Sequence, residues 1–209
     1  MPRPPFEPFT SSYVVLPVDD IDTDQITPAR FLTSTQRSGW GELAFHDWRY
    51  EADGAPKPNF ILNRPGAAEA KVLVAGRNFG CGSSREHAVW ALMGAGLRCI
   101  ISTRFADIFR GNALGNGLLP VEVEPGTIVE LVRYADRDPA ARIAIDLSAQ
   151  ALTLPSGRVA TFAINAFAKH CLLHGVDELE FLLGAANEIE EYEMRNPGRV
   201  NTRGSRAAT

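Results

Sequence analysis

Within nine residues, Gly80-Cys81-Gly82-Ser83-Ser84-Arg85-Glu86-His87-Ala88 gathers two hydroxyls, a thiol, a guanidinium and an imidazole. Glycine lets a backbone approach a ligand closely. If a helix begins in this stretch, its free N–H groups and the positive end of its dipole favour an anion, and Arg85 adds a planar fork suited to a carboxylate. The same residues also have a purely structural use. Ser83 can cap a helix N-terminus, with Glu86 three residues on completing a capping box. Phosphate motifs do not fit: the glycine pattern fails G-x-G-x-x-G at Arg85, and no lysine follows as in G-x-x-x-x-G-K-[ST].

Other residues could do chemistry. Cys81 near a helix start, with His87 close in sequence, is placed as a thiol nucleophile would be, although a lone cysteine is more often structural. Asp22-Thr23-Asp24 is an acidic cluster. It is either a solvated strand end that caps a turn or a source of carboxylates for acid–base work, and the latter needs Asp24 to reach a second polar group. His170 and His174 share a helical face at i, i+4, but no third metal ligand stands at typical spacing. Cys81, Cys99 and Cys171 are the only cysteines. They form no C-x-x-C pair and no disulfide framework, so neither zinc nor an iron–sulfur cluster is expected on this chain alone.

The elements that must position these groups can be read from periodicity and turn signals. Tyr13 to Val18 reads as a strand that ends in the acidic loop. Lys71 to Gly76 is an apolar strand followed by the glycine–serine loop. Arg85 to Leu97 then takes helical spacing, with Val89, Leu92, Met93 and Leu97 on one face. Arg98–Thr103, Phe105–Leu114 and Leu118–Val123 repeat strand, helix and strand, an alternation that predicts a parallel layer. Pro28 to Gly39 has no clean period and reads as a mobile lid, and Asp53 to Pro65 as a connecting loop. Downstream, Ile128–Arg133, Ile143–Leu147 and Val159–Phe162 read as short antiparallel strands, with Glu124-Pro125-Gly126 among the turns. Asn165–His174 and Asp177–Met194 read as closing helices, the second capped by Asp177 with Glu180. The residues from 196 to 209 are polar and basic, so a disordered tail is expected after one domain over 1–195.

Composition narrows the function. With 209 residues, 45% of them hydrophobic, the chain can bury a core. A formal net charge of -4 leaves no excess of cations to offset a nucleic-acid backbone. No apolar run is long enough for a bilayer, and the Met1-Pro2-Arg3-Pro4-Pro5 start lacks the apolar core of a secretion signal, so a cytoplasmic address is expected.

Asp22-Thr23-Asp24-Gln25-Ile26, Asp47-Trp48-Arg49-Tyr50, Asn78 to Ala88 and Asn116-Gly117-Leu118-Leu119-Pro120 together closely resemble the small subunits of 3-isopropylmalate dehydratase, in that family's order and spacing. Phe105-Ala106-Asp107-Ile108-Phe109 and Lys169-His170-Cys171-Leu172-Leu173 extend the resemblance over roughly Phe9 to Met194. It implies an α/β fold, the swivelling β/β/α domain of the aconitase superfamily, with a mixed sheet and flanking helices. The implied activity is a hydro-lyase of leucine biosynthesis that interconverts 2- and 3-isopropylmalate through an unsaturated diacid. The implied partner is a large subunit, forming a heterodimer and carrying a [4Fe–4S] cluster whose open iron draws off hydroxide.

Carried over by position, Ser83 matches the catalytic base and Asp24 an acidic residue beside it. Ser84 and Arg85 match groups that bind a substrate carboxylate, and Arg37 matches a second substrate arginine. Relatives more often carry cysteine, phenylalanine and lysine around Ala113 to Gly115. That departure keeps open a hydro-lyase for citraconate or another substituted malate. A non-catalytic assembly chain is the reading from another class, and the intact Ser83, Arg85 and Asp24 argue against it.

Overall fold

The structure, a computed structural model, describes residues 3–32 and 39–196. Seven strands, β1 (Phe9–Leu16), β2 (Val72–Ala75), β3 (Cys99–Ser102), β4 (Leu119–Glu122), β5 (Arg142–Asp146), β6 (Ala151–Thr153) and β7 (Val159–Thr161), form one sheet in the order β4-β3-β2-β1-β5-β6-β7. The helices are α1 (Thr23–Ile26), α2 (His46–Arg49), α3 (Glu86–Gly94), α4 (Asp107–Asn116), α5 (Pro125–Arg137), α6 (Ala166–His174), α7 (Glu178–Gly184) and α8 (Ala186–Arg195). Strands β1 to β4 are parallel, while β1–β5, β5–β6 and β6–β7 are antiparallel. The mixed parallel and antiparallel sheet with flanking helices matches the expected fold class.

β1 joins the two halves. Its first residues, Phe9 to Ser12, pair antiparallel with β5, and its last, Tyr13 to Leu16, pair parallel with β2. The polar Thr10-Ser11-Ser12 stretch hid this earlier half of the strand from a reading based on β-branched runs. Side chains alternate across β2 and β3 as a strand period of two requires. Leu73, Ala75 and Ile100 enter a cluster with Ile21, Phe79, Val89, Leu92 and Phe109. Val72, Val74, Cys99 and Ile101 enter another with Val121, Leu131, Ile145 and Leu152. Because Val121 on β4 and Leu152 on β6 share that cluster, the sheet curls and its antiparallel half closes over the second face. With both faces buried, each Val, Leu or Ile of the central strands contributes about 1.5–3 kcal/mol of burial.

Two expectations are corrected. Ile128–Arg133 is not a strand but lies inside α5, which starts at Pro125 as its first residue. Proline there loses no hydrogen bond, and Thr127 and Leu131, buried four residues apart, set a helical period that outweighs the β-branched residues. β6 was not anticipated, because it has only three residues and a single buried side chain, Leu152. The closing helix does begin at Asp177 with the capping box to Glu180. It breaks at Ala185, after Gly184, into α7 and α8. The residues expected as a tail lie outside the described residues from Pro197 onward.

Candidate active site

The acidic loop follows β1 and the glycine–serine loop follows β2. Since these strands are parallel neighbours, both loops leave the same end of the sheet, where open α/β sheets present ligand sites. Pairing continues past the strand ends. The Asp20 N–H donates to Arg77 O at 2.8 Å, Gly80 N–H to Ile21 O at 2.7 Å and Thr23 N–H to Cys81 O at 2.9 Å. The Asn78 amide donates to Asp20 Oδ1 at 2.8 Å. The Thr23 hydroxyl donates to Ser83 O at 3.2 Å. Asp22 caps α1 in a reciprocal box with Gln25, which fixes the direction in which the acidic loop turns.

Two glycines shape the second loop. Gly80 has φ +78°, and a Cβ on it would lie 2.2 Å from the Phe109 ring, so α4 packs directly against this backbone. Gly82, at φ +89°, turns the chain again. The extra turn delays the helix: α3 begins at Glu86, and Arg85 is its N-cap residue without a side-chain cap bond. The capping role considered for Ser83 is therefore corrected. Ser83 is exposed, and its hydroxyl has no hydrogen-bond partner among the described residues. The Gly82, Ser83 and Ser84 N–H groups likewise have none among the described residues, so three donors and two hydroxyls stand free at the mouth of a helix. Glu86 accepts instead from the Asn116 amide at 2.8 Å.

Arg85 donates to Asp24 Oδ1 across the two loops. The guanidinium side chain is 20% exposed and the carboxylate 52%. Asp24 Oδ1 also accepts from Ala29 N–H at 3.1 Å. Thus Asp24 meets Arg85, and the serine hydroxyl is not among its hydrogen-bond partners. One guanidinium nitrogen is engaged, leaving further donors of Arg85 for an incoming anion. Arg37 lies outside the described residues.

Cys81 does not have the surroundings of an activated thiol. Its sulfur donates to Asp20 O at 3.2 Å. Burial, and then the Asp22 and Asp20 carboxylates, push the thiol above its usual range, which disfavours the thiolate. The His87 ring sits 4.9 Å from Trp40 and 4.6 Å from Trp90, in an aromatic cluster. The rings of His170 and His174 stack at 4.1 Å on α6. No group of three His, Cys, Asp or Glu able to hold a metal ion occurs among the described residues. Two residues that sequence reasoning passed over belong to the site's frame. Thr23 links both loops, and Asn112 on α4 donates to Ser84 O at 3.3 Å. Asn112 and Asn116 at i, i+4 on one helix were the available signal for the second.

The model of the aconitase C-terminal domain family matches residues 9–126, and that described as LeuD_N matches residues 129–166. The chain is 56% identical over 198 residues to the 3-isopropylmalate dehydratase small subunit of Roseiflexus sp. (strain RS-1), covering 95% of this chain and 97% of the relative. It is 54% identical over 199 residues to that of Chloroflexus aurantiacus (95% and 99%). The Anaeromyxobacter dehalogenans protein of the same name is 54% identical over 189 residues (90% and 97%). A solved structure of 3-isopropylmalate dehydratase (leuD) from Methanocaldococcus jannaschii superposes with a TM-score of 0.64 at 24% identity, covering 88% of this chain and 99% of that one. That likeness shows the fold.

Proposed function

The chain belongs to the 3-isopropylmalate dehydratase small subunits of the aconitase superfamily, and from that premise we propose how its own residues take part in the hydro-lyase reaction. The substrate is 2-isopropylmalate, a diacid. It loses water to an unsaturated diacid and regains it with the opposite regiochemistry. Ser83 removes the carbon-bound proton: the C–H electron pair forms the new double bond as hydroxide departs, and the serine returns the proton on re-addition. A serine hydroxyl is too weak a base in water. Its alkoxide requires the nearby Arg85 charge, the free N–H groups of the loop and the N-terminal end of α3. Arg85 and Ser84 hold a substrate carboxylate, Asp24 orients the guanidinium, and Arg37 supplies the second arginine.

The [4Fe–4S] cluster implied for the family does not fit this chain. Cys99 lies inside β3 and Cys171 is buried on α6, while Cys81 sits apart in the loop, bonded to Asp20 O. We assign the cluster to the large subunit, with one large and one small chain assembling in the cytoplasm. No helix among the described residues is long and apolar enough to cross a membrane.

The observation that supports this reading is the Arg85–Asp24 pair, formed by residues 61 apart in sequence, in a loop whose Ser83 hydroxyl has no hydrogen-bond partner among the described residues. The test is reconstitution with the family's large subunit and assay on 2-isopropylmalate, citraconate and dimethylmalate. Turnover of 2-isopropylmalate only in the assembled complex is the expected result. Turnover by the isolated chain, or a preference for another diacid, would overturn it.

A further inference from the structure

Thr23, the first residue of α1 in the acidic loop, bonds twice to the serine loop. The residue is 1% exposed. Its N–H donates to Cys81 O at 2.9 Å and its hydroxyl to Ser83 O at 3.2 Å, so one residue grips two carbonyls of the serine loop. Most buried hydroxyls are hydrogen-bonded, although that of Thr27, four residues on, has no partner among the described residues, and a β-branched side chain has few rotamers, which restricts the direction of the Thr23 bond. Ser83 O also accepts from Arg85 N–H at 2.9 Å. The next carbonyl, Ser84 O, accepts from the Asn112 amide at 3.3 Å. The serine backbone is thus held at two successive carbonyls, while the exposed Ser83 hydroxyl and the adjoining N–H groups have no hydrogen-bond partner among the described residues.

We propose that Thr23 is a positioning residue for the reaction: its hydroxyl fixes the Ser83 carbonyl and thereby the direction in which the Ser83 hydroxyl points at the substrate. The inference rests on the reading of Ser83 as the base. Thr23 itself touches no substrate. Gly82, at φ +89°, would otherwise let the serine peptide rotate, and a small misplacement of a reacting group is expensive in rate. Because Ser83 O keeps the Arg85 N–H when the threonine hydroxyl is removed, no acceptor is orphaned, and the fold should tolerate the change.

The experiment compares Thr23→Val, Thr23→Ser and Thr23→Ala in the chain assembled with its large subunit, with Ser83→Ala alongside. The serine and alanine variants differ only in the hydroxyl, so they decide the matter even if valine impairs folding. Thr23→Ala and Thr23→Val should lose about tenfold in kcat with KM within about twofold, and Thr23→Ser should recover most of the loss. A structural role would instead lower Tm, or shift KM and kcat together, without rescue by serine. If Ser83→Ala is crippled while Thr23→Ala turns over normally, the positioning role is wrong and the base assignment stands. If Ser83→Ala turns over normally, both fall.

Discussion

Arg85 reaches from the loop after β2 to the Asp24 carboxylate in the loop after β1, so the cation suited to a substrate carboxylate already has an internal partner. The pair is unsymmetrical: Arg85 is mostly covered and Asp24 half exposed. Solvent screens such a pair, and it adds little to folding stability. Its consequence is orientation, since a carboxylate at one nitrogen sets the plane in which the remaining donors lie.

Asp24→Asn keeps the shape and loses the charge. In the assembled enzyme we expect KM for 2-isopropylmalate to rise about tenfold and kcat to change less than about threefold, as for one weakened charged hydrogen bond. Thermal denaturation of the chain should be nearly unchanged. A fall in kcat with KM constant would instead make Asp24 a participant in proton transfer.

The Cys81 thiol is held protonated by burial and by Asp22 and Asp20, and it donates to Asp20 O. Cys81→Ser should therefore keep turnover within about twofold. Alkylation by iodoacetamide at pH 7 should be slower at Cys81 than for free cysteine, and should accelerate only above the ordinary thiol range. Rapid labelling at neutral pH with loss of activity would show an activated thiol.

The folding elements were legible wherever pattern and punctuation agreed. Val72-Leu73-Val74-Ala75 is buried on both faces and bounded by turn residues, and it was found nearly to the residue. Ile128 to Arg133 failed because its β-branched residues and the preceding Glu124-Pro125-Gly126 looked like strand and turn, whereas proline at a first helical position looks the same in sequence. Ser83 and Glu86 have capping-box spacing, and only the positive φ of Gly82 shows that the helix starts later. The meeting of Asp24 and Arg85 could not be read locally at all. It depends on β1 and β2 being adjacent, a relation between segments some sixty residues apart that the pairing register supplies.

Tyr13 gives a test of the fold rather than of the site. Its hydroxyl donates to Leu131 O at 2.9 Å, tying β1 to α5. Burial, and then Asp138 and Tyr134, push its pKa up to about 12 from 10.0. The folded state therefore keeps a proton that the unfolded state releases near pH 10. The contribution to stability is complete below pH 10 and is lost as the pH rises toward 12, with a full extent on the order of 2 kcal/mol. Urea titrations between pH 9 and 12 should show this decline, and Tyr13→Phe should flatten it at a cost of about 1 kcal/mol at neutral pH. An equal slope in the phenylalanine variant would place the titrating group elsewhere.

Ser83 carries the sharpest expectation, because the structure removes its competing role. A capping serine would cost about 1 kcal/mol on mutation to alanine, but the Ser83 hydroxyl makes no bond to the start of α3 among the described residues. Ser83→Ala should thus leave Tm and assembly with the large subunit unchanged. If the serine is the base, the same change should lower turnover by about a hundredfold or more, with KM for the diacid little altered. Ser84→Ala should be milder if that hydroxyl only helps to hold a carboxylate. Arg85→Lys keeps the charge but loses the planar fork, and with it both the Asp24 partner geometry and the paired donors, so KM and kcat should both worsen. Near wild-type turnover by the assembled Ser83→Ala enzyme would leave the proton without its acceptor, and Asp24, the carboxylate paired with Arg85, would be the next residue to test.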